Sequence, residues 1–334
     1  MKALLSTDPG GPDTLKVSEI DLPEPQPGTV RVRVDACAIN YPDALIIEDR
    51  YQVRPPRPFA PGGEVSGTID AIGEGVSGWA AGERVIAVIG FGGLAEHVVI
   101  GAERLHRLPD ACRSVDGAAL LLTYATVLHA LVDRGRIREN DTLLVLGAAG
   151  GVGLAAVEIG ALLGARVIAA VSSEEKAAIA REAGASATVT YPRGPFDAEG
   201  VKALGGLFKE AVGKDGANVI LDPVGGDYAE PALRSIAWEG RYLVLGFPAG
   251  LPKISLNLPL LKGCDVLGVF YGAHALREPE HNRASVQRLL NWLEHGKIKP
   301  RISGTFNLEE APEAITRLAS RQAVGKLVVT IGAA

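Results

Sequence analysis

The chain has 334 residues, enough for about two domains of roughly 150 residues each, and its 47% hydrophobic and 22% charged residues are an ordinary globular balance. A formal net charge of −5, with no Lys/Arg-rich block, argues against a nucleic-acid backbone as partner. Three scattered cysteines, Cys37, Cys112 and Cys264, form no C-x-x-C pair, so neither a cysteine zinc site nor a disulfide framework is expected.

The start, MKALLSTDPG, has too short an apolar run for a signal peptide, and a cytoplasmic protein is expected. The first ~110 residues are β-rich: "GTVRVRVDACAIN" alternates around Val30, Val32 and Val34 as a half-buried strand does. "GEVSGTIDAIGEGVSGWAAGERVIAVIG" breaks short β runs with glycines, as in a small barrel. Pro55 to Pro61 is a proline-stiffened loop. The apolar stretch Gly117 to Val132 falls short of a membrane span and reads as a buried helix. Strands and helices then alternate. "DTLLVLGAAGGVGLAAVEIGALLGARVIAAV" gives strand, glycine turn, helix and strand, and "SSEEKAAIAREAGA" gives a helix capped by Ser172 or Ser173. "ATVTY", "ANVILDPV" and "GRYLVLGF" are further strands, with "AEPALRSIAWEG" a helix between the last two. Apolar strands alternating with helices predict a parallel sheet covered on both faces. From about Leu260 the chain is expected to leave this sheet. The predicted fold is α/β: a β-rich substrate domain (1–116 and 262–334) interrupted by a dinucleotide-binding domain (117–261).

The strand that ends in "CAINYPDAL" places Asn40, Tyr41, Pro42 and Asp43 where a ligand can be met. Cys37 and Asp43 invite a metal; Asn40 and Tyr41 suit a hydrogen-bonded organic molecule.

The most informative stretch is "LLVLGAAGGVGLAAVEI". The backbone at Ala149, Gly150, Gly151 and Val152 can approach a pyrophosphate, and Gly153 allows close packing of helix on strand. Ala148 stands where G-x-G-x-x-G has its first glycine, and Gly147 lies just before it. About twenty residues on, where an NAD site places an acid on the ribose, the chain has Ser172, Ser173 and Lys176. Hydroxyls and a cation suit a 2′-phosphate, so NADPH is predicted over NADH; Glu174 and Glu175, which suit a helix N-terminus, weaken that case. Tyr191, after the next strand, either meets the adenosine end or packs.

These stretches, with "PFAPGGEVSGTIDAIGEGV", "LLTYATVLHAL", "LDPVGG" and the terminal "GKLVVTI", resemble the zinc-independent quinone oxidoreductase (zeta-crystallin-like) branch of the medium-chain dehydrogenase/reductase superfamily across essentially the whole chain. The resemblance implies a GroES-like barrel domain plus a Rossmann domain. Zinc-dependent members carry a cysteine ligand where this chain has Asn40, and Gly-His-Glu where it has Gly62-Gly63-Glu64. No catalytic metal is therefore expected. The resemblance further implies Asn40 near the nicotinamide with Asp43 behind it, and Thr126 bonded to the cofactor. It places Gly246, Phe247, Phe270, Tyr271 and Gly272 around the nicotinamide, and has Lys326 reaching it from the C-terminal return. It also implies a homodimer joined through the edge strand "DVLGVFYG".

Each residue also has a plainer reading. Asn40 can cap a turn, Asp43 can be the N-cap of "ALIIEDR", Tyr41 and Tyr51 can donate to a substrate oxygen or pack, His129 reads as a core histidine, and Glu64 as an acceptor for backbone N–H groups. Without a metal, charge building on one carbonyl oxygen is unfavourable, whereas a quinone or α,β-unsaturated carbonyl delocalises it. The expected activity is therefore NADPH-dependent reduction of such an acceptor, with enone or enoyl-thioester reduction, or a non-enzymatic NADPH-binding crystallin-like role, as alternatives. No tyrosine is followed by Lys at the Tyr-x-x-x-Lys spacing of short-chain dehydrogenases.

Overall fold

The computed structural model describes residues 1–331. In chain order, β1 (Lys2–Leu5), β2 (Lys16–Glu19), β3 (Thr29–Ile39), α1 (Tyr41–Ile46), β4 (Glu64–Ile72), β5 (Arg84–Val88), β6 (His97–Gly101), β7 (His106–Arg107) and α2 (Ser114–Ala118) come first. Next are α3 (Thr126–Leu128), β8 (Thr142–Val145), α4 (Gly151–Leu162), β9 (Arg166–Val171), α5 (Glu174–Glu182), β10 (Ala187–Thr190), α6 (Ala198–Val212), β11 (Ala217–Asp222), α7 (Ala229–Leu233), β12 (Ile236–Val244), α8 (Asn257–Lys262), β13 (Asp265–Gly268) and α9 (Tyr271–Arg277). Last are α10 (Pro279–Glu294), β14 (Ile302–Phe306), α11 (Ala311–Ala319) and β15 (Lys326–Thr330). Two compact units result, Met1–Leu122 with Arg288–Ala334, and Thr123–Gln287.

In the first unit β3 is the hub. Val30, Val32 and Val34 point inward while Arg31 and Arg33 face out, the period-2 pattern of a strand with one dry face. From Ala36 onward every residue is buried. There the small side chains Ala36 and Ala38 lie against Ala118 and Ala119, while Cys37 and Ile39 join the main core on the other face. β4 pairs antiparallel along most of β3; on its other side β6 pairs with Thr29–Arg33 and β15 with Ala36–Ile39.

The second unit is a six-stranded, all-parallel sheet in the order β10-β9-β8-β11-β12-β13. In sequence rank this is 3-2-1-4-5-6, the doubly wound order whose switch point lies between β8 and β11. Leu143–Val145, Val167–Val171 and Val219–Leu221 are buried on both faces, as a covered parallel sheet requires. The fold class is the expected one.

Several boundaries differ. The sheet does not end near Leu260: Asp265–Gly268 pairs parallel with Arg241–Val244 as its sixth strand, so the second unit runs to Gln287 rather than 261. The predicted helix 229–240 stops at Leu233, because Ile236 is already paired with Ala217. Residues 198–212, unassigned from sequence, form α6, which buries Leu204, Phe208 and Val212 on one stripe. The helical run Ser114–Arg134 contains π-helical turns at Leu121–Ala125 and His129–Arg134. By length and composition it could cross a membrane (mean hydropathy 1.6), but 72% of its apolar window is buried inside the protein, as in a core helix.

Candidate active site

In the first unit the register of three strands gathers one polar cluster. Glu64, the first residue of β4, pairs with Ala38, and Leu327 pairs with Ile39, which puts Lys326 beside Asn40. The Lys326 ammonium donates to Asn40 Oδ1 at 2.5 Å and to Glu64 Oε2 at 3.1 Å. Asn40 Nδ2 donates to the same Glu64 oxygen at 3.0 Å, and the other, Oε1, accepts the Leu122 N–H at 2.8 Å. Glu64 is 0% exposed, Lys326 4% and Asn40 7%. Buried charges persist only when paired and hydrogen-bonded, and every polar end here has a partner. The ammonium of Lys326, expected to reach the cofactor, meets Asn40 and Glu64 in this cluster. Glu64 does accept a backbone N–H, as read from sequence, and in addition pairs with a cation.

Asn40 is the N-cap of α1 and Asp43 its N3 residue, a reciprocal capping box. Asp43 Oδ2 accepts the Asn40 N–H at 2.7 Å and Oδ1 the Gly62 N–H at 3.0 Å. Gly62 has φ +96°, and a side chain there would collide with Cys37 Sγ and the Leu94 nitrogen, so the close approach depends on glycine. Burial pushes the Asp43 carboxyl up to about 6, against the two N–H bonds and the Lys326 charge. Tyr41 is the first residue of α1 and half-buried; Tyr51 packs against the main core. Burial, then the Asp43 charge, raises the Tyr51 hydroxyl above its ordinary range.

This donor set does not fit a catalytic zinc. A lysine ammonium already engages the amide and carboxylate oxygens a metal would need. Cys37 is fully buried, and burial and the Asp43 charge hold its thiol well above the ordinary value, whereas zinc takes the thiolate.

In the second unit, β8 runs into the glycine turn. Gly150 is the N-cap of α4, so Gly151, Val152 and Gly153 form the first turn, whose N–H groups lack intrahelical acceptors. A Cβ on Gly153 would lie 2.2 Å from the Gly147 carbonyl oxygen, so helix and strand are as close as the sequence implied. Ala149 is buried within the turn. At the end of β9, Ser173 caps α5 by accepting the Lys176 N–H, while the Lys176 ammonium donates to Ser172 Oγ at 3.4 Å. Burial and then the charge of Arg193 lower the Lys176 ammonium. Arg193 follows Tyr191 in an exposed turn and is the residue the sequence did not flag. Two cations and two hydroxyls share this corner, which fits the phosphate-rich end of a nicotinamide nucleotide.

Tyr191 is a correction: it is 6% exposed and its ring packs on Tyr228 and Phe208 in the second unit's core, which makes it a packing residue. Thr126 opens α3, Gly246 and Phe247 follow β12, and Phe270 lies just past β13, 64% exposed. Tyr271 and Gly272 begin α9, with the Tyr271 hydroxyl donating to Asn282 Oδ1 at 2.9 Å.

Replacing Lys326 by Met leaves Glu64 buried without its cation, and is expected to cost about 3–5 kcal/mol in urea unfolding. Adding Glu64→Gln is expected to restore roughly 1 kcal/mol or more. A Glu64→Gln effect of the same size in the wild type and in the Lys326→Met background would show that the pair is not energetically coupled.

Residues 26–110 match the alcohol dehydrogenase GroES-like domain, and residues 151–293 match the zinc-binding dehydrogenase family. The chain is 38% identical over 304 residues to the quinone oxidoreductase-like protein 2 homolog of Nematostella vectensis, spanning 90% of this chain and 81% of that one. It is 36% identical over 319 residues to quinone oxidoreductase-like protein 2 of Bos taurus, spanning 95% and 89%. The crystal structure of Escherichia coli quinone oxidoreductase complexed with NADPH is similar with a TM-score of 0.90 at 26% identity, covering 99% of this chain and 100% of that one. With its fold, its matched segments and an ammonium among the oxygens that a metal would need, the chain belongs to the zinc-independent quinone oxidoreductase branch of the medium-chain dehydrogenase/reductase superfamily.

Proposed function

We propose that this protein is an NADPH-dependent reductase of quinones or other conjugated carbonyls, working without a metal. The observation that carries the cofactor choice is the corner at the end of β9, where Ser172, Ser173, Lys176 and Arg193 offer hydroxyls and positive charge to a 2′-phosphate. The NADPH complex of the Escherichia coli relative supports the same reading. The α4 N-terminus takes the pyrophosphate through backbone N–H groups and its dipole. When bound, NADPH supplies the hydride.

The residues of the first unit hold and orient. The Lys326 ammonium fixes the Asn40 amide, and Asp43 fixes the helix that Asn40 caps. By resemblance, Asn40 stands at the nicotinamide end. The Tyr51 hydroxyl, raised by burial and by Asp43, stays protonated and can donate to a substrate oxygen; Tyr41 is the second candidate donor. A quinone spreads the arriving charge over a conjugated system, so hydrogen bonds replace a Lewis acid.

We also propose a homodimer. β13 is a sheet edge, and Trp238, Leu256, Leu260, Leu261, Val266 and Phe270, all around it in sequence, are exposed. An apolar open edge is an association site unless it is covered.

Purified protein with NADPH is expected to turn over 9,10-phenanthrenequinone or 1,4-benzoquinone. Turnover of only 2-cyclohexenone or crotonyl-CoA would reassign it to C=C reduction, and no turnover of any would favour a non-enzymatic NADPH-binding role. Lys176→Ala removes a charge-assisted contact of ~1.5–3 kcal/mol and is expected to weaken NADPH roughly 10–100-fold while barely changing NADH. Equal effects on the two would refute the 2′-phosphate assignment. Light scattering is expected to give twice the 34.8 kDa chain mass, with Val266→Lys shifting it toward monomer; a monomeric wild type at micromolar concentration would rule out the dimer.

A further inference from the structure

The chain has six histidines, and three of them converge on one carboxylate in the second unit. His129 and Asp133 lie one turn apart on the helical run ending at Arg134, His274 lies in α9, and His281 lies in α10. His129 Nδ1 is 2.7 Å from Asp133 Oδ2, His281 Nε2 is 3.1 Å from Oδ1, and His274 Nε2 is 3.8 Å from Oδ2. The His129 and His274 rings stack 3.9 Å apart at 15°, and the His281 ring meets His274 edge-on at 5.3 Å. The His129 and His274 side chains are only 10% and 14% exposed, that of Asp133 is 23% and that of His281 is 52%. None of these residues has a part in the cofactor or acceptor chemistry above.

Two stacked imidazoles cannot both be cationic without strong repulsion, and one carboxylate cannot neutralise three imidazolium ions. The candidate ligand atoms of His129, Asp133 and His274 all lie within 4.8 Å of one another. Ligands on a tetrahedral zinc at ~2.0–2.1 Å stand about 3.4 Å apart, so a contraction of up to about 1.4 Å brings these three onto one ion.

We propose that His129, Asp133 and His274, with His281 as fourth ligand, form a binding site for a divalent transition metal of the zinc, cobalt or nickel class. Three imidazoles and one carboxylate suit such ions rather than magnesium or calcium, which prefer all-oxygen shells. The metal would clip α9 and α10 to the central helix, a structural role separate from hydride transfer. Asp133 would exchange its imidazole hydrogen bonds for a metal bond, so the cluster is satisfied in either state.

The test uses the full chain without a histidine tag, stripped with chelator. Added Co²⁺ is expected to give the visible absorption bands of a tetrahedral site at one ion per chain, and Zn²⁺ to displace it and raise the melting temperature. His274→Gln is expected to abolish the bands. His281→Gln, which alters the half-exposed fourth ligand and leaves the other three intact, is expected to weaken Zn²⁺ binding about tenfold by calorimetry. The absence of cobalt bands, or Zn²⁺ binding as tight in both variants as in the unaltered chain, would overturn the site. The readouts are spectroscopic and calorimetric, so failure of the reductase reading leaves them unaffected.

Discussion

A buried ammonium needs acceptors, and the first unit is organised around supplying them to Lys326. Its nitrogen is reached by one oxygen from the residue after β3 and one from the start of β4, and its own strand is held by β3. The pairing registers of β3 with β4 and with β15 must hold together for the charge to be met. A slip of one residue in either would turn a partner to the opposite face. Such a cluster adds little net stability over an apolar replacement of the same shape, but it penalises every misregistered alternative. The position of Asn40 is thus determined by the sheet, not by the flexibility of a loop.

The second unit solves a different problem by local means. A glycine turn at the end of β8 and a serine-capped helix after β9 each act within a few residues. At the sheet's switch point the loop after β11 is braced by Asp222, whose Oδ1 accepts the Val224 and Gly225 N–H groups while Oδ2 accepts the Tyr242 hydroxyl at 2.6 Å. Anion-binding backbone is therefore presented from rigid strand ends. Metal-free hydride chemistry asks for little beyond such positioning when the acceptor is conjugated.

What could be read in advance follows this division. The glycine turn and the Ser172, Ser173, Lys176 group are legible because they are contiguous. Lys326 is not, because its partner Asn40 lies 286 residues away and only the strand register joins them. Arg193 comes to Lys176 from the turn after β10, and nothing in "YPRGP" signals that approach. Tyr191 looked like a ligand residue because strand ends often are, but Tyr228 and Phe208 cover its ring. α6 was hidden by Gly200, Gly205 and Gly206, which lower helix propensity, although Leu204, Phe208 and Val212 at every fourth position carried the signal. The end of the parallel sheet is hard to read because β13 is only four residues long and mostly exposed.

The first unit is made from two separated stretches of chain, and the second from one continuous stretch. On the ribosome this imposes an order. Residues 123–287 are all available while β14 and β15 are still unmade, so the nucleotide-binding unit can close on its own contacts first. Through that interval Glu64 sits beside a strand whose other neighbour is missing, and its cation has not yet been synthesised. The first unit is thus the last to mature, and its final strand brings the charge that completes it.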